Sequence, residues 1–441
     1  MPMHKLLVHS AKQIVQVVGD GRRVKRGHDM QTVDSLQSDD ETGYSILVNS
    51  DGIITDIGKD SEVRERNPDV KAETTIDAKG LSIIPGLVDA HTHPVWAGDR
   101  VHEFAMKLAG ATYMEVHKAG GGIHYTVEHT RKASEEDLYA SFKDRLQTMC
   151  NAGTTLVECK SGYGLNVATE VKMLRVIERA KREMAIGVSS TYCGAHAVPQ
   201  DSTAEEATRD VLEKQIPEIQ RLMADDILHV DNIDVFCERG VFDVEQSRSI
   251  LEKGKELGLT INFHGDELHP TGSAEMGAEI GALAISHLEE ISDAGMSAMA
   301  ASGSVGVVLP TTAYILRLKP PPVRQMIESG MAVALGSDFN PNAYCLAMPI
   351  VMHLACVILR MSMPETLNTA TINAAHALNL SDKHGSLEVG KYGNFVVLDT
   401  DRWENLIYKF GSYTDVVKNV IYMGQIVHSK DDQKVTKVKQ I

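Results

Sequence analysis

No stretch of this 441-residue chain reaches the roughly 18 consecutive apolar residues of a membrane-spanning helix, so no helical span is expected. The opening residues, MPMHKLLVHS, hold only a short apolar run and lack the core of a secretory signal. Basic residues are outnumbered: 44 Lys and Arg stand against 60 Asp and Glu, a formal net charge of −16. That imbalance argues against a uniformly basic surface, and no nucleic-acid partner is expected. Cysteines are few as well. None of Cys150, Cys159, Cys193, Cys237, Cys345 and Cys356 stands in a CxxC pair, so they read as reduced, mostly buried thiols of a cytoplasmic protein. Internal repeats and low-complexity tracts are missing too.

What is present is apolar sequence in short pieces, 43% of the chain, enough for a large core and two structural units. Residues 1–80 carry short strand signals: 45–50, 52–57 and 73–77. Residues 28–43 are polar and acidic without periodicity and read as an exposed loop. From Leu81 the rhythm changes. Eight apolar strand candidates follow, in LSIIPGLVDAHTH, TTLVECKSGYG, AIGVSSTYCGAHAVP, NIDVFCERGVF, LTINFHGDELHP, ALAISHLEE, SVGVVLP and AVALGSDFNPN. Amphipathic helices, such as 169–182 and 244–257, lie between several of them. This alternation predicts a parallel (β/α)8 barrel of the TIM type over 81–380. An open doubly wound sheet is the alternative, but no GxGxxG fingerprint opens its first helix. Short strands return at 394–399, 415–423 and 424–428, so residues 381–441 join 1–80 in a small β-sandwich domain.

Active residues of such a barrel sit at the C-terminal ends of its strands. His91 and His93 end the first strand; residues two apart on a strand share a face, so both imidazoles project together. His264 ends the fifth strand, His287 the sixth, and Asp338 follows the eighth. Any one of them has an ordinary explanation, such as capping the next helix. Five such groups on four strand ends point instead to one catalytic metal with room for water. His269 and His353 lack a strand-end position and read as surface or helix histidines. Gly120-Gly121-Gly122 lacks the Lys-Ser/Thr of a P-loop and reads as a flexible turn near the barrel mouth with a gating role.

At this point the chain resembles the amidohydrolase superfamily, through PGLVDAHTHP, AGTTLVE, the Ser-Asp after strand eight and HGSLEVGKYGNFVVLD. Within it the chain is similar to the imidazolonepropionase family, through HTHPVWAGDR, GGGIHYTV, VECKSGYGL, CGAHAVP, FHGDELHP, ISHLEE and GSDFNPN. The resemblance extends over nearly the whole chain. It implies a hydrolase of a cyclic amide that opens an imidazolone ring in histidine degradation, with one zinc or iron ion and a homodimeric assembly. It implies metal ligation by His91, His93, His264 and Asp338, and substrate contacts at Arg100, Tyr163, His196, Glu267 and Asn340. After Asn340 the chain departs from many members: Asn342 and Ala343 stand where those carry Gly then Ser or Thr, so contacts there are not carried over.

The same positions suggest roles. Asp338 and His287 would orient the attacking water and take its proton, His196 would meet the developing oxyanion, and Glu267 would protonate the leaving nitrogen. Arg100, just past His93, would grip a substrate carboxylate; the competing reading pairs it with Asp99 or Glu103 at the surface. Lys160 follows strand two rather than strand four, where some relatives place a metal-bridging lysine, so one metal is favoured over two bridged by Glu238 or Cys237. A deaminase of the same superfamily and a catalytically dead barrel acting as a binding protein are the rival functions.

Overall fold

The structure is a computed structural model that describes residues 3–38, 42–110 and 121–433. Eight parallel strands run in chain order around a barrel: Leu87–Asp89, Thr154–Lys160, Gly187–Ala195, Asn232–Cys237, Thr260–Gly265, Ala284–His287, Val305–Val308 and Ala332–Leu335. The last is joined to the first past their ends: Asp338 N donates to His91 O at 3.0 Å, and His93 N to Phe339 O at 2.8 Å. The expected barrel is therefore present. Its helices start where the sequence offers caps. Asn166 caps Val167–Glu183, and Asp243 with Gln246 forms a reciprocal capping box at Val244–Glu256. The first of these buries Val171, Leu174 and Ile177 on one face, the spacing of an amphipathic helix.

The barrel interior is filled near the N-terminal strand ends by small apolar side chains: Val88, Leu156, Ala284, Val305, Ala332 and Ala334. Ala374, Ala375 and Leu378, from and just past the helix Ile372–Ala377, join the same cluster. Eight strands leave space for little more than this.

Two further sheets come from the chain ends. One orders Ile54–Lys59, Tyr44–Val48, His4–Ala11 and Ala72–Asp77; the other orders Gln425–Ser429, Val417–Tyr422, Phe395–Leu398, Ser82–Pro85, Gln13–Val17 and Asp34–Gln37. Leu6, Val8, Ile46 and Ile54 of the first share a core with Ile14, Ile83, Phe395 and Ile421 of the second. That is the expected sandwich.

Three details differ from expectation. The apolar run beginning at Leu81 is two strands. Ser82–Pro85 pairs with Phe395–Leu398 in the sandwich, and Leu87–Asp89 opens the barrel. Gly86 stands between them, where a Cβ would lie 2.0 Å from Thr155 Oγ1. Both halves are fully buried, so hydrophobicity does not register the change of partner. Residues 28–43 are not one exposed loop: Gly27–Gln31 is a 3-10 turn and Asp34–Gln37 an edge strand on Gln13–Val17. A four-residue edge strand in which only Leu36 is partly buried carries too little alternation to read. Residues 39–41 lie outside the described chain. Finally, Tyr413–Val416 is a helical turn that precedes the strand Val417–Tyr422. Of the glycine triplet, Gly122 (φ 85°) precedes the helix Ile123–Lys132, whereas Gly120 lies outside the described residues, as does any gating by it. Among the described residues, no helix is long and apolar enough to cross a membrane.

Candidate active site

The strand ends converge as the sequence predicts. His91 and His93 leave strand one, His264 rises from strand five, His287 closes strand six, and Asp338 follows strand eight. All five are nearly or fully buried. The turn out of strand six is forced, with His287 at φ 78° and Leu288 at φ 68°, and Asp338 stands at φ 47°. Such left-handed conformations cost energy in residues with a Cβ and gather where side chains must be aimed. Gly336 allows the approach of strands one and eight, since a Cβ there would lie 2.7 Å from that of His91.

Donor atoms of His91, His93 and Asp338 lie within 4.8 Å of one another, as do those of His93, His196 and His264. His93 Nε2 lies 3.2 Å from His264 Nε2, and Asp338 Oδ1 lies 3.6 Å from both His91 Nε2 and His93 Nε2. Four ligands about 2.0–2.1 Å from a tetrahedral ion would stand roughly 3.4 Å apart, so these spacings suit a metal. His91 Nε2 is buried without a hydrogen-bond partner, an uncommon state for a polar atom. Burial first, and then the Lys160 cation among other causes, holds the imidazole of His91 well below its usual pKa. Burial and neighbouring imidazoles do the same for His93 and His264. Neutral imidazole is the form that binds a metal. These residues fit a divalent ion.

Behind the imidazoles lies a layer that sequence reasoning missed. Asp234 Oδ1 takes the Nδ1–H of His264 at 2.7 Å, which turns the His264 Nε2 lone pair inward. Ser286 Oγ meets His91 Nδ1 at 2.8 Å, and Thr312 donates to Asp338 Oδ2. The one available signal for Asp234 was a carboxylate in the apolar run NIDVF, two residues before Phe236 and so on the same face. Lys160 does not reach out as a bridge. It is buried between Glu158 (2.7 Å) and Asp234 (2.6 Å). Burial disfavours its charge, but the two carboxylates outweigh that and raise its pKa. Glu238 faces the loop after strand five, where it accepts Leu268 N–H at 2.9 Å and meets His269 Nδ1 at 2.9 Å. His353 sits on the helix Met348–Val357, stacked on Phe410.

A cavity of about 880 Å³ opens above the imidazoles. Arg100, Tyr163, His196, Glu267, His287 and Asn340 all border it, so the expected substrate residues are gathered in one place. His196 stacks on His93 at 4.5 Å, and its Nδ1–H donates to Gly162 O at 3.0 Å. Burial brings its pKa down to about 4. A neutral ring of that tautomer presents Nε2 as an acceptor. Burial also lifts the Tyr163 phenol above its ordinary value, so it stays protonated. Burial raises Glu267 to about 7 despite the opposing His287, whose Nε2 is 3.6 Å away. Burial opposes the charge of His287, but Glu267, Glu289 and Asp338 prevail and raise it to about 10. The Asn340 amide is spent on its own turn, donating to Asp338 O at 2.7 Å and accepting Asn342 N–H at 2.7 Å. Arg100 forms a bidentate pair with Glu103 at 2.8 and 2.7 Å; the pair is buried in the cavity wall, not laid on the surface.

The profile of the amidohydrolase family matches residues 82–427. "Probable imidazolonepropionase" of Mus musculus is 58% identical over 427 residues, covering 97% of this chain and 99% of that protein. The Homo sapiens protein of the same name is 57% identical over 425 residues, covering 96% and 99%. Among solved structures, an adenosine deaminase from Xanthomonas campestris with bound zinc has a TM-score of 0.70 at 18% identity, covering 97% of this chain and 93% of that one. E. coli guanine deaminase has a TM-score of 0.67 at 14% identity, covering 97% and 100%. At such identities the likeness is one of fold.

Proposed function

The chain belongs to the amidohydrolase family, and we propose that it is an imidazolonepropionase, opening the ring of 4-imidazolone-5-propanoate by hydrolysis to N-formimidoyl-L-glutamate. The observation that carries this reading is the full-length likeness to proteins of that name, joined to a cavity in which the matching residues converge. One zinc or iron ion, held by His91, His93, His264 and Asp338, would supply Lewis acidity and make water acidic enough to react near neutral pH.

The chain's own groups divide the remaining work. Asp338, accepting from Thr312 through Oδ2, keeps Oδ1 on the side of the imidazoles and is the group to take a proton from the attacking water. His287, a cation among three carboxylates, steadies negative charge beside it rather than removing a proton. Glu267, poised near neutrality, delivers a proton to the ring nitrogen as its bond to carbon breaks. His196, with Nδ1 committed to Gly162, accepts a ring N–H through Nε2 in place of the oxyanion contact expected from sequence. Arg100 and Tyr163 meet the propanoate carboxylate, a required counterweight in a chain of net charge −16. The same proposal takes the enzyme to be a cytoplasmic homodimer, on the family resemblance and six unpaired thiols.

Ultraviolet-monitored turnover of 4-imidazolone-5-propanoate by the purified protein tests the reading. Loss of substrate absorbance with formation of N-formimidoylglutamate is expected. No turnover by metal-loaded protein, or ammonia released from an amino-substituted heterocycle instead, would overturn it.

A further inference from the structure

Arg100 does not enter the cavity as a free cation. Its Nε and Nη2 hydrogens both go to the Glu103 carboxylate, at 2.8 and 2.7 Å. Glu103 is 1% exposed. Its Oε1 also accepts the backbone N–H of Gly122 at 2.8 Å, across a gap of 19 residues. One buried carboxylate thus holds the strand-one loop and the start of the helix Ile123–Lys132 together, and both segments border the cavity. The pairing leaves Nη1 and the second Nη2 hydrogen for another acceptor.

From this geometry we infer that Glu103 is a positioning residue for substrate recognition: it fixes the guanidinium plane of Arg100 so that its unused edge meets the substrate carboxylate. The inference rests on the reading that Arg100 holds that carboxylate. An unsupported arginine on a loop must lose its rotamer freedom at the moment of binding, whereas one already clamped has lost it on folding. The gain belongs to binding, so it should show in KM and leave kcat nearly alone. A surface arginine–glutamate pair would do neither.

A double-mutant cycle of Arg100→Met and Glu103→Gln decides the matter, with KM, kcat and metal content measured for all four proteins. We expect Glu103→Gln to raise KM roughly tenfold with kcat within about threefold of wild type and metal retained. In the Arg100→Met background the same substitution should add less than about twofold, because the group it positions is gone. An equal KM increase in both backgrounds would mean that Glu103 acts on the fold and not through Arg100. A raised KM in Arg100→Met beside a wild-type KM in Glu103→Gln overturns the positioning role alone. An unchanged KM in Arg100→Met overturns the carboxylate reading beneath it. Should Glu103→Gln not fold, Glu103→Asp keeps the charge and shortens the reach. The same split at smaller size is expected, and a wild-type KM there overturns the inference.

Discussion

Toward the N-terminal ends of the barrel strands, Val88, Leu156, Ala284 and Val305 fill the interior with small apolar groups. A few residues further along two of these strands the composition reverses. Leu156 is followed on its face by Glu158 and Lys160, and Ala284 by Ser286. The two ends share strands, register and burial, yet one end holds no charge and the other is crowded with titratable groups. Packing satisfies most of the first, where Asn232 also donates to Ser189 and Thr191. The second must be satisfied by pairing, because a buried polar group without a partner is costly. Lys160 between two carboxylates and His264 against Asp234 meet that demand. His91 Nε2 is among the buried atoms left without a hydrogen-bond partner, as a group proposed to bind a metal would be.

Substitutions at the two ends should therefore fail in different ways. The largest effect on turnover is expected from His264→Ala. It should abolish activity and remove the metal together while circular dichroism stays native, and the wild type should carry about one tightly held divalent ion per chain. Elemental analysis finding two such ions, or metal kept by the variant, would break the single-site account.

Next comes Glu267→Gln, which keeps shape and removes the titratable proton. We expect kcat to fall roughly 100-fold with metal retained. Because burial raises Glu267 to about 7, its proton is available below that pH and lost above it. Wild-type kcat/KM should accordingly decline on the alkaline side of about 7, and that limb should vanish in the variant. The same limb in both proteins would assign the proton to another group.

Arg100→Met should be milder, at least about tenfold in kcat/KM, since charge-assisted hydrogen bonds are worth roughly 1.5–3 kcal/mol. A wild-type kcat/KM would place the carboxylate elsewhere. The smallest effect on turnover is expected at the apolar end. Leu378→Ala, in the cluster below the site, should cost about 2–5 kcal/mol in denaturant unfolding and leave kcat of the folded enzyme unchanged. A drop in kcat there would erase the distinction between the two ends.

The eight strands, the His91–His93 pair and the groups at the ends of strands five, six and eight were legible in the sequence for one reason. Each strand is apolar until it stops, so the polar residue that ends it stands out, and barrel topology brings those ends together. Glu103 and Ser286 gave no such signal. A glutamate three residues after an arginine, or a serine before a histidine, is ordinary surface chemistry until the chain folds over it. The edge strand Asp34–Gln37 was hidden because Leu36 alone turns toward the core, and the break at Gly86 because both sides of it are equally buried.

The order of apolar and polar residues along the chain by itself determined the barrel, its sandwich companion and which ionisable groups stand at the mouth, because local periodicity records which face of each element meets the core. Only the tertiary structure decided which nitrogen of each histidine faces inward, that Lys160 is spent on Glu158 and Asp234, and that Arg100 arrives already clamped by Glu103. Those are contacts made between elements, mostly far apart in the chain, and their free energy depends on distance and burial, which no residue carries until its neighbours are in place.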